Sequence, residues 1–166
     1  MKACLLAFLS SIALLAQNGP DAVVRGDASS GAAVFTGRGG CATCHRVHGK
    51  GSRLGPDLSD IGLVRTAEQL EQSLIDPAAE ILPENRFYKV VTRDGTVIVG
   101  RLLNLDTFQV LLLDPNEQLR RFLKADLREY AFVGGSSMPS YRTTLTPQEL
   151  ADLIAYLSTL QGITPQ

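Results

Sequence analysis

The stretch Cys41-Ala42-Thr43-Cys44-His45 carries two thiols and, directly behind the second, an imidazole. Sulfurs about one helical turn apart can add to the two vinyl groups on one edge of a porphyrin, and the adjacent imidazole then falls beneath the iron. The C-x-x-C-H spacing is therefore an attachment signature for one covalently bound heme c, with His45 as an iron ligand. Other chemistries need features this stretch lacks. A structural zinc site takes four ligands in well-separated pairs, whereas Cys41, Cys44, His45 and His48 crowd into eight residues. A thioredoxin-like redox pair follows a strand in a βαβ unit, and the residues before Cys41 read as a helix.

A heme so attached has a second face to fill. The chain has two Met, of which Met1 is the initiator, so Met138 is the candidate thioether. It stands in Ser136-Ser137-Met138-Pro139-Ser140-Tyr141, a loop-forming run rather than an apolar helical face, which suits ligation better than core filling. His48 lies three residues past His45, too close to wrap to the opposite face, and reads as a surface or propionate-side residue. That leaves a peroxidase-like enzyme without a distal acid–base group. The function expected is a one-electron carrier, not an enzyme. A heme-based binder or sensor of small gases, with a labile Met138, is the alternative.

Composition narrows the setting. The 166 residues carry 16 Lys plus Arg against 17 Asp plus Glu, a formal charge of -1. This balance excludes a polybasic nucleic-acid binder and an acidic disordered tail. Hydrophobic residues at 45% and charged residues at 20% suit a globular chain with a buried core. Of three Cys, Cys4 accompanies the apolar run Leu5 to Ala16 behind Lys2. That run is shorter than the ~20 residues a bilayer span needs and reads as a cleaved export signal over residues 1–16, extending to about residue 19. Periplasmic location, no membrane span in the mature chain, and Cys41 and Cys44 as its only thiols are expected to follow.

The positioning elements are legible from caps and periodicity. A first helix is expected from Asp27, a good N-cap, to about Thr36, with Gly31 and Phe35 on one face. Gly37-Arg38-Gly39-Gly40 ends it and leads to Cys41. Gly55-Pro56-Asp57-Leu58 predicts a tight turn. Thr66-Ala67-Glu68-Gln69 is a capping box for a helix to about Ile75, stopped at Asp76-Pro77. Thr146-Pro147-Gln148-Glu149 opens a last helix with Leu150, Leu153, Ile154, Leu157 and Leu160 on one face, terminated by Gly162 and Pro165.

Between these lies a segment of different texture, residues 84–133. Phe87 to Arg93, Thr96 to Leu105, Phe108 to Leu113, Gln118 to Leu123 and a short Arg128 to Phe132 read as successive strands, with Asp94-Gly95 a strong hairpin turn. The rhythm loosely resembles Sm-like barrels. Val90, Val97, Val99, Leu103, Val110, Leu112 and Phe122 are expected to form its core. Leu102, Leu111 and Leu113 are assigned to an opposite face covered either by the rest of the chain or by a partner such as a second copy. This segment has a slight basic excess and the remainder an acidic one.

Residues 26–76 and 134–161 resemble a class I cytochrome c, through Gly31 and Phe35, Cys41-x-x-Cys44-His45, Gly55-Pro56-Asp57-Leu58, Met138-Pro139 and Leu153-Ile154-Ala155-Tyr156-Leu157. With the β-rich stretch between heme attachment and the Met loop, the mature chain is similar to the heme-binding cytochrome domains of planctomycete- and verrucomicrobia-type proteins. The resemblance implies that the Pro56 carbonyl accepts the Nδ1 hydrogen of His45, and that Gly31 lets the first and last helices approach. It implies a mostly α class I cytochrome c fold with an inserted antiparallel β-sheet or small β-barrel, α+β overall. The N-terminal half spans 20–83, the insertion 84–133 and the C-terminal half 134–166. Redox proteins are the expected partners, with no nucleic acid, and a homodimer through the insertion is the further candidate.

Overall fold

Local capping starts each long helix. The helices are α1 (Ala28–Thr36), α2 (Ile61–Val64), α3 (Ala67–Ile75) and α4 (Pro147–Thr159) in a computed structural model that describes residues 25–162. The expected export signal, Cys4 and Pro165 lie outside the described residues. The Asp27 carboxylate accepts from the Ser30 amide at 2.7 Å and caps α1. Thr66 with Gln69, and Thr146 with Glu149, close reciprocal capping boxes on α3 and α4, each satisfying two otherwise orphaned amides.

α1 crosses α4 at contact distance. A Cβ on Gly31 would stand 1.9 Å from the Asp152 carbonyl oxygen, so only glycine fits. Next to the crossing, Phe35 meets the Tyr156 ring edge-on at 5.6 Å. Buried Asp152 accepts from the Asp27 amide at 2.7 Å and from Gln148 Nε2 at 2.8 Å, tying the starts of the two helices together. α2 also lies against α4, where Gly62 faces the Ser158 carbonyl. Phe35, Leu70, Leu74, Tyr141, Leu145, Leu153, Leu157 and Leu160 form one core with Cys41 and Val47.

The strands are β1 (Arg46–Val47), β2 (Lys50–Gly51), β3 (Phe87–Thr92), β4 (Val97–Leu105), β5 (Gln109–Leu113), β6 (Leu119–Leu123) and β7 (Leu127–Phe132). β1 and β2 form a small hairpin that sequence reasoning did not anticipate. The other five make one antiparallel sheet in the order β6-β5-β4-β3-β7. Among the described residues strand weighs as much as α-helix, which agrees with an α+β fold overall and does not support the description mostly α. The sheet stays open between its β6 and β7 edges, so its ladder is not that of a closed barrel. Register shifts at Val91/Thr92 and Leu102/Asn104 bend it locally.

A second core, on one face of this sheet, is built on Val90, Val110 and Leu112 with Tyr88, Ile98, Leu102, Phe122 and Leu127. Here the expected phase of β4 is corrected. Val97, Val99 and Leu103 are exposed, and Ile98 and Leu102 face inward. Both phases of β4 are apolar, so alternation alone could not choose. Gly100 decides it sterically, because a Cβ there would lie 2.5 Å from the Leu113 carbonyl oxygen. Arg101 belongs to the other phase and reaches out of the sheet.

Leu113 is buried on that opposite face, beside Arg46, Arg53 and Gly55, while Leu119 and Leu123 on the same face are exposed. The rest of the chain therefore covers part of the face. Leu113→Lys should lower unfolding free energy by ~2 kcal/mol or more, the cost of burying an unpaired charge. Leu119→Lys should stay within about 0.5 kcal/mol of the parent, as exposed substitutions do. Urea unfolding of the two variants checks this, and equal midpoints would contradict it.

Candidate functional site

The Cys-His segment begins where α1 ends. The Gly37 and Gly39 amides donate to the Ala33 and Val34 carbonyls, and Gly40 turns the chain with φ +61°. A single 3-10 turn over Cys41–Thr43 follows, and the Cys44 and His45 amides both donate to the Cys41 carbonyl. This turn gives the two cysteines different surroundings. Cys41 is buried and Cys44 exposed, and both are free thiols. Cys41 Sγ lies 4.0 Å from Tyr141 Oη, and that hydroxyl donates to the Gly39 carbonyl at 2.6 Å. Burial, with Cys41 as the next cause, pushes the Tyr141 phenol up to about 12, so it acts as a donor at any ordinary pH.

His45 Nδ1 lies 3.0 Å from the Pro56 carbonyl oxygen. A carbonyl can only accept, so the ring hydrogen sits on Nδ1 and the lone pair is left on Nε2. Burial holds the imidazole below its usual range, with the Pro56 bond opposing and Arg101 adding to the shift. A neutral imidazole of this tautomer is a metal-ligand form. The Gly55 amide donates to the Cys44 carbonyl at 2.6 Å, and a Cβ on Gly55 would meet the His45 ring at 2.8 Å. The motif Gly55-Pro56 is thus a backbone cradle for the ring.

His48 occupies the β1–β2 turn with φ +47°, exposed, its amide donating to Ser59 Oγ. Among the described residues no group of three or more His, Cys, Asp or Glu side chains could hold a metal ion, so the zinc alternative has no ligand set there.

Met138 is half-buried and packs against the core that contains Cys41 and Tyr141. Its loop is docked on the end of α3. The Tyr141 amide donates to the Leu74 carbonyl at 2.8 Å, and Ser140 Oγ donates to the Ile75 carbonyl at 2.7 Å. The structure thereby brings Cys41, Tyr141 and Met138 to one core and joins Cys44, His45 and Pro56 through the cradle.

These residues fit a covalently attached heme. The two thiols are unpaired one turn apart, the imidazole has its Nδ1 side satisfied, a glycine leaves space beside the ring, and a thioether lies in a docked loop.

Two residues at this site escaped sequence reasoning. Tyr141 was visible only as a neighbour of Met138. Arg101 Nη1 donates to the Arg53 carbonyl at 2.8 Å and the Gly55 carbonyl at 2.9 Å. Its only signal in the sequence was a charge inside an apolar strand.

A family model described as Cytochrome c matches residues 28–95. The match takes in α1, the Cys-His segment, the Gly55-Pro56 cradle, α3 and β3, and it supports a c-type cytochrome, from a family that binds heme and carries electrons. Met138 and α4 lie beyond it. No curated protein matches the chain.

Proposed function

We propose that this protein is a monoheme c-type cytochrome, a one-electron carrier of the periplasm that exchanges electrons with redox protein partners. The observation that carries the reading is the C-x-x-C-H turn whose His45 is held through Nδ1 by the Pro56 carbonyl at 3.0 Å, inside a segment similar to the cytochrome c family. The β-rich stretch before the Met loop favours the planctomycete- and verrucomicrobia-type subgroup.

A heme bound here supplies an iron centre that gains and loses one electron. Cys41 and Cys44 are the residues that would hold the heme covalently. The Pro56 carbonyl holds His45 in one tautomer and strengthens it as a donor to iron. Met138 supplies a thioether, which favours reduced iron and raises the potential relative to a second imidazole. The docking of residues 140 and 141 on α3 holds the Met loop in place, against the apolar core that Met138 packs on.

The ferric absorption spectrum tests the ligand set, because a thioether-to-iron charge-transfer band reports Met138 directly. Met138→Ala should remove the band, give high-spin or misligated iron, and lower the potential. An unchanged spectrum in Met138→Ala would remove Met138 from the iron. Carbon monoxide binding to the reduced parent at that point would favour the small-ligand-binding alternative.

A further inference from the structure

The five-stranded sheet grips one short loop of the helical part, and that loop is the one that holds His45. Two independent points of the sheet reach it. From β4, the Arg101 guanidinium donates through Nη1 to the carbonyls of Arg53 and Gly55, while its Nε donates to the Glu84 carbonyl at 3.2 Å. From the turn between β5 and β6, the Glu117 carboxylate accepts from the Arg53 amide at 3.1 Å and from Arg53 Nε at 3.2 Å. Arg53 Nη2 in turn donates to the Glu117 carbonyl at 3.2 Å. Leu113 is buried beside these groups.

The path from Arg101 to the imidazole is short and made of backbone. Gly55, whose carbonyl Arg101 holds, presses its Cα side against the His45 ring, and a Cβ there would come within 2.8 Å of Nδ1 and Cε1. The next residue, Pro56, offers the carbonyl that His45 Nδ1 meets. Its φ is fixed by the proline ring, which locks one of the two dihedrals between the Gly55 peptide and that carbonyl, so a tilt of the first displaces the second. Nε on the Glu84 carbonyl and Nη1 on the carbonyls of Arg53 and Gly55 belong to one rigid plane, so the guanidinium ties the loop to the start of the sheet in fixed relation, which an ammonium on a flexible stem, without the second nitrogen, cannot do.

We propose that Arg101 is a positioning residue for His45, through which the β-sheet fixes the orientation of the imidazole and so tunes the iron it ligates. The inference rests on the reading of His45 as an iron ligand given above. It assigns the insertion a task within the heme site itself, distinct from partner docking.

The test uses the holoprotein with Arg101→Met, which keeps the length of the side chain without its donors, and Arg101→Lys, which keeps the charge without the fork. Three measurements are made on each: amide hydrogen exchange at Gly55, the low-spin ferric electron paramagnetic resonance g-values, and the midpoint potential. In Arg101→Met, which removes all three donated bonds, exchange at Gly55 should quicken at least about tenfold, the effect of losing even one hydrogen bond from a charged donor, with shifted g-values and a shifted potential. Arg101→Lys should show the same g-value shift in the same direction, because geometry and not charge is lost. Parent-like g-values and potential in Arg101→Met would overturn the proposal, as would full restoration by Lys, which would reduce the effect to charge. If Arg101→Met fails to fold, the Lys variant decides alone: shifted g-values uphold the proposal and parent values overturn it. A parent protein with no covalent heme, or with heme whose spectrum is unaffected by His45→Ala, would instead defeat the ligand assignment, so the two failures are separable.

Discussion

Ser at both Cys41 and Cys44 should leave a chain that retains no heme on a denaturing gel, whereas the parent, produced with heme-maturation machinery, keeps all of it. The argument is chemical. Only a sulfur nucleophile adds to the vinyl groups, and a Ser hydroxyl at the same place forms no thioether. The environment distinguishes the two positions. Cys44 is exposed, while Cys41 is buried beside Tyr141. Each single Ser variant should therefore keep heme through one thioether, and the variant lacking Cys41 should also lose some packing. In the heme-free chain, Ser in place of exposed Cys44 should change stability by no more than about 0.5 kcal/mol. Heme staining after denaturing electrophoresis, read beside far-ultraviolet dichroism to show that the variants fold, checks this. Undiminished staining in the double variant would remove the attachment reading and, with it, the case for this family's chemistry in the chain.

The parts of the fold that could be read in advance are those fixed by neighbours in sequence. The capping boxes at Thr66 and Thr146 need only residues three positions apart, and α3 and α4 begin where those boxes place them. The Asp94-Gly95 turn is likewise local, with Gly95 at φ +92° and the flanking strands paired across it. Each strand expected in the insertion exists, each with one end where expected and the other displaced by one residue.

What could not be read depends on distant residues. The inward phase of β4 is selected by Gly100 against the Leu113 carbonyl and by the pull of Arg101 toward Arg53 and Gly55. Neither contact leaves a trace in the alternation of TVIVGRLLNL, where both faces are apolar. The β1–β2 hairpin was missed for a related reason. Its strands are only two residues long, and His48-Gly49 at its turn is not one of the Asn-Gly or Asp-Gly pairs that announce such hairpins. Within the site, the motif residues Cys41, Cys44 and His45 were legible by spacing. The Pro56 contact was reachable through resemblance to a family. The Arg101 contact, between residues 46 and 48 positions apart from their partners, was reachable by neither.

Gly31→Ala should be among the most damaging single-methyl additions in the molecule, lowering unfolding free energy by about 3 kcal/mol, at the upper end of what overpacking costs. Ala is the better helix former by about 1 kcal/mol, so propensity alone would make α1 more stable. The crossing reverses the sign. The new methyl would stand 1.9 Å from the Asp152 carbonyl oxygen and 2.7 Å from Tyr156 Cβ. One of these is backbone of α4, which cannot turn aside as a flexible side chain can. α1 would have to shift, and in shifting it would disturb the Asp27 to Asp152 hydrogen bond and the Phe35–Tyr156 contact. Gly134→Ala separates this steric effect from backbone conformation. Gly134 has φ +80° with nothing near its Cβ direction, so Ala there should cost only about 1 kcal/mol from backbone strain. Because α1 leads directly into the Cys41 turn, Gly31→Ala should also lower the yield of attached heme, while Gly134→Ala, on the Met side, should leave attachment intact. A Gly31→Ala protein as stable as the parent would show that α1 and α4 do not cross at the distance described.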